Sequence, residues 1–363
     1  MTLCGHQIFS FDNLCLTSKK TIQKVDIAYE TWGRLDNQKS NAILITHAFS
    51  GDSHAAKNEG NKQDGWWEKM IGSGRAFDTD KYFIICSNVL GGCAGSTGPS
   101  SINPKSNKPY GLTFPVITLG DIVHAQKKLI DSLGIKKLLC VAGGSMGAMQ
   151  SLQWAVMYPE SIASAIVISA AMKHSPQQIA FNEVGRQSIM ADPDWNDGNY
   201  YGSKEPEVGL AIARMIGHIT YMSDKSMEQK FSRRLKENKF SFDFGGKPDF
   251  EVEGYLHYKG NSFVKRFDAN SYLYITKAMD YFEVCAEDFC LQKNPKLKFL
   301  TIAFGSDWLY PPYQSQDIAR QLKLKGYDAS YCELKSTYGH DSFLLEIDIQ
   351  AKLIKGFLNP LKK

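Results

Sequence analysis

Short runs of apolar residues alternate with amphipathic segments between residues 40 and 170. Residues 42–46 and 82–86 are apolar along almost their whole length, as expected for strands of a parallel sheet that is covered on both faces. Segments with helical spacing separate such runs, and this alternation is typical of βαβ units. The pattern predicts a mostly parallel sheet flanked by helices.

The second half of this region continues the same alternation of predicted helices and strands. Asp121 can cap a helix that carries an apolar stripe and ends at Gly134. The spacing then predicts a strand over residues 137–142, a helix over about 148–158 and a strand over 162–169.

The pattern changes at residue 173, where helical and loop segments rich in aromatic and charged residues replace the buried strands. Apolar runs return at residues 299–304 and 329–334, and a final helix follows them. We therefore predict one α/β core formed by residues 1–172 and 297–363. A helical lid over residues 173–296 is expected to interrupt this core.

Composition and charge narrow the class of protein. The 363 residues are 43% hydrophobic and 22% charged, which is the balance of a globular enzyme. The 42 lysines and arginines against 38 acidic residues give a net charge of +4, which does not argue for a nucleic-acid or membrane partner. The longest apolar run is too short to span a bilayer, and residues 1–10 lack a signal-peptide pattern. We therefore expect a cytoplasmic protein.

The eight cysteines are scattered, and none forms a C-x-x-C pair. Several lie in apolar runs, as Cys140 does, which is typical of reduced thiols rather than of a disulfide frame or a zinc site. His47 and His54 are close in sequence, but no third ligand stands at helix or hairpin spacing. We therefore expect no metal site.

The strongest chemical signal is Gly-Gly-Ser-Met-Gly at residues 143–147, a G-x-S-x-G motif between a predicted strand and a predicted helix. In that setting Ser145 occupies a sharp turn, and the glycines let the strand and the helix pack closely. The N-terminus of the helix then favours the oxyanion that forms on attack. A structural turn or a phosphate loop is the alternative, although the chain lacks the Gly-Lys-Ser/Thr of a Walker A loop. The motif predicts that Ser145 is a nucleophile.

A serine nucleophile needs a base and an acid that orients the base, in the chain order Ser, acid, His for this type of turn. Asp307 and His340 each follow a predicted strand, at the edge where the carboxyl ends of parallel strands converge. Each could be an ordinary loop residue if taken alone. Their order predicts a catalytic triad of Ser145, Asp307 and His340. The N–H groups of Phe49 and Met146 are the expected oxyanion hole.

Motifs along the whole chain resemble the homoserine O-acetyltransferase family of the α/β-hydrolase fold. They are the segments at residues 47–52, 65–67, 86–93, 95–99 and 143–147, Ala-Arg-Met at 213–215 with Tyr221, Ser-Asp-Trp at 306–308, and Gly-His-Asp-Ser-Phe at 339–343. They extend from the first sheet strands through the helical segment to the C-terminus. Their combination is more specific than the serine motif, which many esterases share.

The resemblance implies an acyltransferase of methionine biosynthesis, which passes an acetyl group from acetyl-CoA through acyl-Ser145 to the hydroxyl of L-homoserine. It implies a lid over a deep tunnel and a homodimer, with acetyl-CoA as co-substrate and no permanently bound cofactor. Arg214 matches the arginine that holds the substrate carboxylate, and Asp341 matches the aspartate that takes its ammonium group. Tyr221 belongs to the same substrate site. A zwitterion needs such a pair of opposite charges.

Three positions depart from the family pattern. Phe49 stands where relatives often have leucine, Ala94 where many have a basic residue, and Ala148 where a third glycine is common. Ala94 offers no cation to a phosphate of CoA. The surrounding segment, residues 90–101, is dense in small residues and is either a tight crossing or a backbone surface for substrate or cofactor.

The acyl group is expected to be acetyl because Leu309, two residues after Asp307, is apolar. Relatives that use succinyl-CoA tend to carry arginine there, and a buried succinyl carboxylate without a cation is unfavourable. The alternatives are a homoserine O-succinyltransferase, a serine O-acyltransferase, a serine esterase and a binding module without activity. Arg214 and Asp341 separate a transferase from an esterase, since an esterase needs no zwitterion clamp.

Overall fold

The computed structural model describes residues 6–237, 239–242, 244 and 247–361. The strands in these ranges are β1 (Gln7–Cys15), β2 (Thr21–Trp32), β3 (Ala42–Thr46), β4 (Ile71–Gly72), β5 (Phe77–Asp78), β6 (Phe83–Ser87), β7 (Ile102–Asn103), β8 (Lys108–Pro109), β9 (Cys140–Gly144), β10 (Ser164–Ile168), β11 (Lys298–Phe304) and β12 (Asp328–Leu334). The α-helices are α1 (Leu119–Ser132), α2 (Met146–Met157), α3 (Pro176–Met190), α4 (Glu207–Tyr221), α5 (Asp224–Phe231), α6 (Glu251–Val264), α7 (Ala269–Asp280), α8 (Pro312–Leu324), α9 (Ser342–Leu345) and α10 (Ile347–Leu358). Short 3-10 helices lie at Gly111–Thr113, Pro159–Ser161, Pro193–Gly198, Ala286–Asp288, Leu291–Lys293, Gly339–Asp341 and Asn359–Leu361.

One sheet carries the fold, with the strand order β1-β2-β6-β3-β9-β10-β11-β12. The pairs β1–β2 and β2–β6 are antiparallel, and every neighbouring pair from β6 to β12 is parallel. The predicted mostly parallel sheet is therefore confirmed. The carboxyl ends of β9, β11 and β12 lie on one edge of this sheet, which is the edge that carries the predicted site.

Two hydrophobic cores cover the two faces of the sheet. Along β3, Leu44 belongs to the core that includes α1 and α2, whereas Ile43 and Ile45 belong to the core that includes α10. Neighbouring residues of a strand point to opposite faces, so a strand covered on both sides has no face that solvent favours as polar. This explains the apolar run at residues 42–45, which only Thr46 at the end of β3 departs from.

Two local predictions differ from the structure. No strand is predicted before residue 40, but β1 and β2 form an antiparallel hairpin at the edge of the sheet, and much of β1 is exposed. Helix α1 is capped by Thr118 rather than Asp121. The Thr118 side chain accepts from the Asp121 N–H, and the Asp121 carboxylate accepts from the Thr118 N–H. Asp121 is thus the third residue of a capping box.

The helices α3 to α7 lie between β10 and β11, within the range predicted for the lid. The lid boundaries themselves stay a prediction. Within the described ranges, no helix combines the length and the apolar composition that crossing a bilayer requires. The described cysteines are free thiols, and Cys4 lies outside the described residues. No three His, Cys, Asp or Glu side chains in the described part of the chain are grouped in a way that could hold a metal ion.

Candidate active site

Ser145 occupies the sharp turn between β9 and α2. Its backbone has φ 57° and ψ −126°, a combination that few residues with a side chain adopt. The Ser145 N–H donates to the carbonyl oxygen of Ile168 in β10 at 2.9 Å, which fixes the turn to the sheet. Ser145 is only 6% exposed. The turn therefore holds the hydroxyl at the carboxyl edge of the sheet, largely shielded from water.

Two glycines of the motif let the turn approach β3. A Cβ atom on Gly143 would lie 2.4 Å from Thr46 Oγ1, and one on Gly147 would lie 2.0 Å from the Thr46 carbonyl oxygen. Both distances are far shorter than van der Waals contact. The motif is therefore a packing requirement of this turn, as the sequence predicts.

Asp307 and His340 are hydrogen-bonded at the carboxyl ends of β11 and β12. The distance from His340 Nδ1 to Asp307 Oδ2 is 2.7 Å, and both side chains are almost fully buried. The other carboxylate oxygen of Asp307 accepts from the N–H groups of Leu309 and Tyr310 at 3.1 and 2.9 Å. Because a carboxylate only accepts, His340 Nδ1 carries the proton and Nε2 is the acceptor nitrogen that a general base needs.

Tyr310 connects this pair to Ser145. Its ring stacks on the His340 imidazole with the ring centroids 5.0 Å apart. Tyr310, Ser145 and Leu309 line one narrow cavity with a volume of about 50 Å³. The cavity is bounded largely by apolar and aromatic side chains, including Phe49. The structure thus brings Ser145, Asp307 and His340 to one edge of the sheet, where Ser145 lines a small enclosed space.

The segment that carries Phe49 is held against the start of α2. His47 donates from Nδ1 to the Ala48 carbonyl at 2.8 Å and accepts at Nε2 from the Val89 N–H at 3.1 Å. Burial lowers the pKa of His47, in agreement with a neutral ring that both donates and accepts. The Gln150 side chain of α2 donates to the His47 carbonyl at 3.1 Å. This bond ties the segment before Phe49 to the helix that begins with Met146.

Arg214 and Tyr221, both on α4, lie on the lid side of the site. The Arg214 guanidinium lies 4.6 Å from the ring centroid of Phe263 and 5.5 Å from that of Tyr221. It also donates to Ser50 Oγ at 3.2 Å. The Tyr221 ring is 6.0 Å from the His340 ring. One aromatic side chain therefore contacts both the arginine and the triad histidine.

Asp341 follows His340 directly and is half-buried, close enough to the same arginine to feel its charge. Burial raises the pKa of Asp341, although the charges of His340 and Arg214 partly offset this effect. A buried carboxylate with a raised pKa gains from an ionic partner. A cation on α4 and a carboxylate next to His340 are therefore present together near Ser145.

Comparisons with known proteins decide the family. The model of the alpha/beta hydrolase fold matches residues 41–347. The chain is 58% identical over 352 residues to the homoserine O-acetyltransferase of Methanohalobium evestigatum, a match that covers 96% of this chain and 72% of that protein. The chain belongs to the homoserine O-acetyltransferase family.

Solved structures agree with this assignment. The homoserine O-acetyltransferase of Bacillus anthracis has a TM-score of 0.90 at 29% identity, covering 99% of this chain and 98% of that one. Esterase E22 has a TM-score of 0.87 at 32% identity, covering 98% of this chain and 99% of that one. The predicted α/β-hydrolase fold is confirmed, and the same fold serves both kinds of protein.

The small-residue segment of this homoserine O-acetyltransferase family member is a tight crossing. Ser96 Oγ accepts from the Ala28 N–H at 3.0 Å, and Thr97 Oγ1 accepts from the Asp26 N–H at 2.8 Å, so the segment pairs with β2. Ala94 borders a cavity of only about 10 Å³. These side chains are packed as in a tight crossing. A role of the backbone of this segment in binding substrate or cofactor stays a prediction.

Sequence reasoning did not identify two polar groups near the site. Arg266 donates to the Ser50 carbonyl at 2.9 Å, close to the bond from Arg214, so two guanidinium groups meet at one residue. His174 lines the cavity of Ser145 and lies 2.7 Å from the Tyr310 hydroxyl. Neither residue belongs to a local motif. Only the packing of the lid helices on the core brings them to the site.

Proposed function

We propose that this chain is a homoserine O-acetyltransferase in which Ser145, Asp307 and His340 are the catalytic triad. The observation that carries the proposal is the pair of opposite charges beside the triad base. Arg214 contacts Tyr221, and Tyr221 contacts His340. The carboxylate of Asp341 belongs to the residue directly after His340 in the sequence. Such a pair matches the carboxylate and ammonium groups of an amino-acid substrate.

In the first half-reaction, Ser145 Oγ attacks the thioester carbonyl of acetyl-CoA while His340 Nε2 takes the hydroxyl proton. The negative charge that develops on the carbonyl oxygen faces the N–H groups of Phe49 and Met146. The carbon–sulfur bond then breaks, and the CoA sulfur leaves with the proton from His340. The products are acetyl-Ser145 and free CoA.

In the second half-reaction, Arg214 binds the homoserine carboxylate and Asp341 binds its ammonium group, with Tyr221 beside them. The homoserine hydroxyl attacks the acetyl carbonyl and gives its proton to His340. The bond to Ser145 Oγ breaks, and this oxygen recovers the proton. Water must be excluded while homoserine binds, and a buried serine under inserted helices favours this outcome.

The proposal includes the setting of the enzyme. The donor is acetyl-CoA, used as a co-substrate, and no permanently bound cofactor is required by the chemistry. The proposed location is the cytoplasm. The proposed pathway is methionine biosynthesis, which the name homoserine O-acetyltransferase of the relatives implies. The division into a core and a lid over residues 173–296 is part of the same proposal.

An acyl-transfer assay tests this function directly. Purified protein is given acetyl-CoA or succinyl-CoA with homoserine or serine, and release of CoA is followed together with the mass of the product. We expect O-acetylhomoserine as the main product. Faster use of serine, or of succinyl-CoA, would move the chain to one of the alternative acyltransferases.

Similarity to esterase E22 supports a second candidate, a hydrolase that uses water as acceptor. The two functions differ in what the acetyl-enzyme does without homoserine. A transferase releases one equivalent of CoA and then stops, whereas a hydrolase continues. Continued release of acetate without homoserine, at the rate seen with homoserine, would favour the hydrolase.

Leu309 is expected to limit the acyl group to acetyl. It borders a cavity of about 50 Å³, which is space for roughly three to five water-sized groups. Leu309→Arg should lower kcat/KM for acetyl-CoA about tenfold, because a long cationic side chain fills this space, and should make succinyl-CoA a detectable donor. Leu309→Met is the matched control that conserves volume. Wild-type preference for succinyl-CoA would contradict the prediction.

Asp341→Asn is expected to raise stability while weakening substrate binding. A raised pKa means that the ionised carboxylate destabilises the folded state at neutral pH, and that this effect disappears as the pH falls below the ordinary pKa range of aspartate. The variant should melt at a higher temperature than wild type at neutral pH but not at low pH. Its KM for homoserine should rise at least about tenfold, since a charged hydrogen bond is lost. An unchanged melting temperature at neutral pH would contradict this prediction.

The proposed homodimer is expected to use α4. Val208, Ile212 and Ile219 lie on one side of this helix and are 67%, 42% and 45% exposed. An exposed apolar stripe of this kind is typical of an interaction surface. The variant Ile212→Glu with Ile219→Glu should be monomeric in light scattering coupled to gel filtration. Val184→Glu, at another exposed valine, is the control, and a wild-type monomer at every concentration would contradict the prediction.

A further inference from the structure

Three buried side chains form a chain of hydrogen bonds that ends at Tyr310. The Tyr310 hydroxyl lies 2.7 Å from His174 Nε2, and His174 Nδ1 lies 3.2 Å from Asp280 Oδ1. Asn182 donates to the same Asp280 oxygen at 2.7 Å, and Arg186 Nη1 lies 2.7 Å from Asp280 Oδ2. The side chains of His174 and Asp280 are 1% and 7% exposed. The side-chain bonds of this series do not include the bond between His340 and Asp307.

The donors and acceptors in this series of hydrogen bonds determine which atom of each side chain carries the proton. Burial raises the pKa of Asp280, but hydrogen bonds from His174 and Asn182 and the charge of Arg186 bring it below its ordinary value. The ionised carboxylate accepts from His174 Nδ1, so Nε2 is left to accept from the Tyr310 hydroxyl. Burial holds the pKa of Tyr310 well above its usual range, so this hydroxyl keeps its proton.

Tyr310 also contacts both residues that activate Ser145. Its N–H donates to Asp307 Oδ1 at 2.9 Å, and its ring stacks on His340 with the planes 30° apart. The stack lasts only while the ring keeps its orientation. The bond from the hydroxyl to His174 holds the far end of the ring, and the same hydroxyl also has a hydrogen-bond interaction with the Ser145 side chain.

The two ends of this chain come from different parts of the fold. Tyr310 follows β11 in the core, whereas Asp280 ends α7 and His174 precedes α3, among the inserted helices. The hydrogen bond between Tyr310 and His174 therefore joins a core residue that contacts Asp307 and His340 to the inserted helices. Variants of the triad residues cannot test this connection, because they remove activity whether or not the bond between Tyr310 and His174 is present.

We infer that Tyr310 is a positioning residue for His340, and that His174 and Asp280 hold it in its working orientation. The effect on turnover rests on the proposed acyl transfer, in which His340 moves a proton to and from Ser145 Oγ in both half-reactions. An imidazole that can tilt is a poorer base in each of them. The inference therefore predicts a loss of rate in both half-reactions without a loss of substrate affinity.

Tyr310→Phe tests this role because it keeps the ring and the backbone N–H but removes the hydroxyl. The first readout is the rate at which a fluorophosphonate labels Ser145, which requires His340 but neither acetyl-CoA nor homoserine. We expect the maximal labelling rate and the kcat for acetyl transfer each to fall about tenfold, with the KM values unchanged. Labelling at the wild-type rate would overturn the inference.

Two substitutions of His174 provide a rescue test. In His174→Asn the amide can still reach Asp280 but not Tyr310, whereas in His174→Gln the longer side chain can reach Tyr310. We expect His174→Asn to lose about as much labelling rate as Tyr310→Phe, and His174→Gln to recover most of it. Combining Tyr310→Phe with His174→Asn should add no further loss, since both remove one contact. Equal labelling rates for His174→Asn and His174→Gln would overturn the inference. This test holds even if Tyr310→Phe is too unstable to assay.

Tyr158→Phe is the matched control, because the Tyr158 hydroxyl also lies within hydrogen-bond distance of a histidine, 2.9 Å from His124 Nδ1. His124 lies on α1 and Tyr158 directly after α2, at the end of that helix away from Ser145. The control should keep wild-type labelling and turnover, and a tenfold loss in this variant would show that any lost tyrosine–histidine bond slows labelling, which would overturn the inference. Wild-type protein that labels but transfers no acetyl group would refute the proposed function alone. The labelling rates still decide the role of Tyr310 in that case.

Discussion

Replacement of Ser145 by alanine is expected to lower acetyl transfer about a millionfold, because the residues of a triad act as a unit and the covalent route is lost with the nucleophile. The change removes one oxygen from a residue that is already buried, so the fold should persist. CoA release measured with a thiol reagent reports the rate. Intact-protein mass spectrometry reports the acetyl-enzyme, which should be seen in the wild type and not in Ser145→Ala.

A second buried serine supplies the control for this experiment. Ser164 Oγ donates to the Leu139 carbonyl at 2.7 Å near the start of β10, at the opposite edge of the sheet. Ser164→Ala should lower the melting temperature while keeping turnover. An acetyl-enzyme on Ser145→Ala would refute the assignment of the nucleophile.

Arg214→Ala is expected to separate the two half-reactions. Acetylation of Ser145 does not require homoserine, so one equivalent of CoA should still appear in a burst. Turnover should then fall at least about a hundredfold, because the substrate carboxylate loses a charged hydrogen-bond partner in a partly buried site. Rapid-quench measurement of CoA with and without homoserine distinguishes the burst from the steady state.

An arginine at an exposed position tests whether loss of charge alone matters. Arg233 is exposed and lies next to the Phe250 ring, between β10 and β11 in the chain. Arg233→Ala should leave both the burst and the turnover unchanged. If the burst and the turnover fell together in Arg214→Ala, this arginine would serve the acyl donor rather than homoserine.

The core of the fold could be predicted because burial on both faces leaves a strong trace in the sequence. Leu44 and its neighbours are all apolar, since each residue of β3 enters one of two cores. The edge strand β1 could not be predicted in this way. It has one exposed side and mixed polar residues, so its stability comes from pairing with β2 rather than from burial.

The candidate site likewise contains residues whose positions the sequence predicts and residues whose positions it does not. The positions of Asp307 and His340 follow from strand order, because the carboxyl ends of parallel strands meet at one edge. The bond between His174 and Tyr310 joins residues that are 136 positions apart and depends on how the inserted helices dock. No local spacing encodes such a contact. The cap of α1 is different, because Thr118 and Asp121 form a local capping box in which Thr118 is the N-cap and Asp121 is the third helical residue.

The backbone angles of Ser145 lower the thermal stability of the protein at a residue that its activity requires. A serine at φ 57° stores about 1–3 kcal/mol of conformational strain, which a glycine would not. Part of that gain is offset, by about 0.5–1 kcal/mol, because glycine is freer in the unfolded chain. Laboratory evolution that rewards survival on heating would therefore tend to enrich Ser145→Gly and drift towards an inert protein. A screen on this scaffold needs a step that scores chemistry in every round.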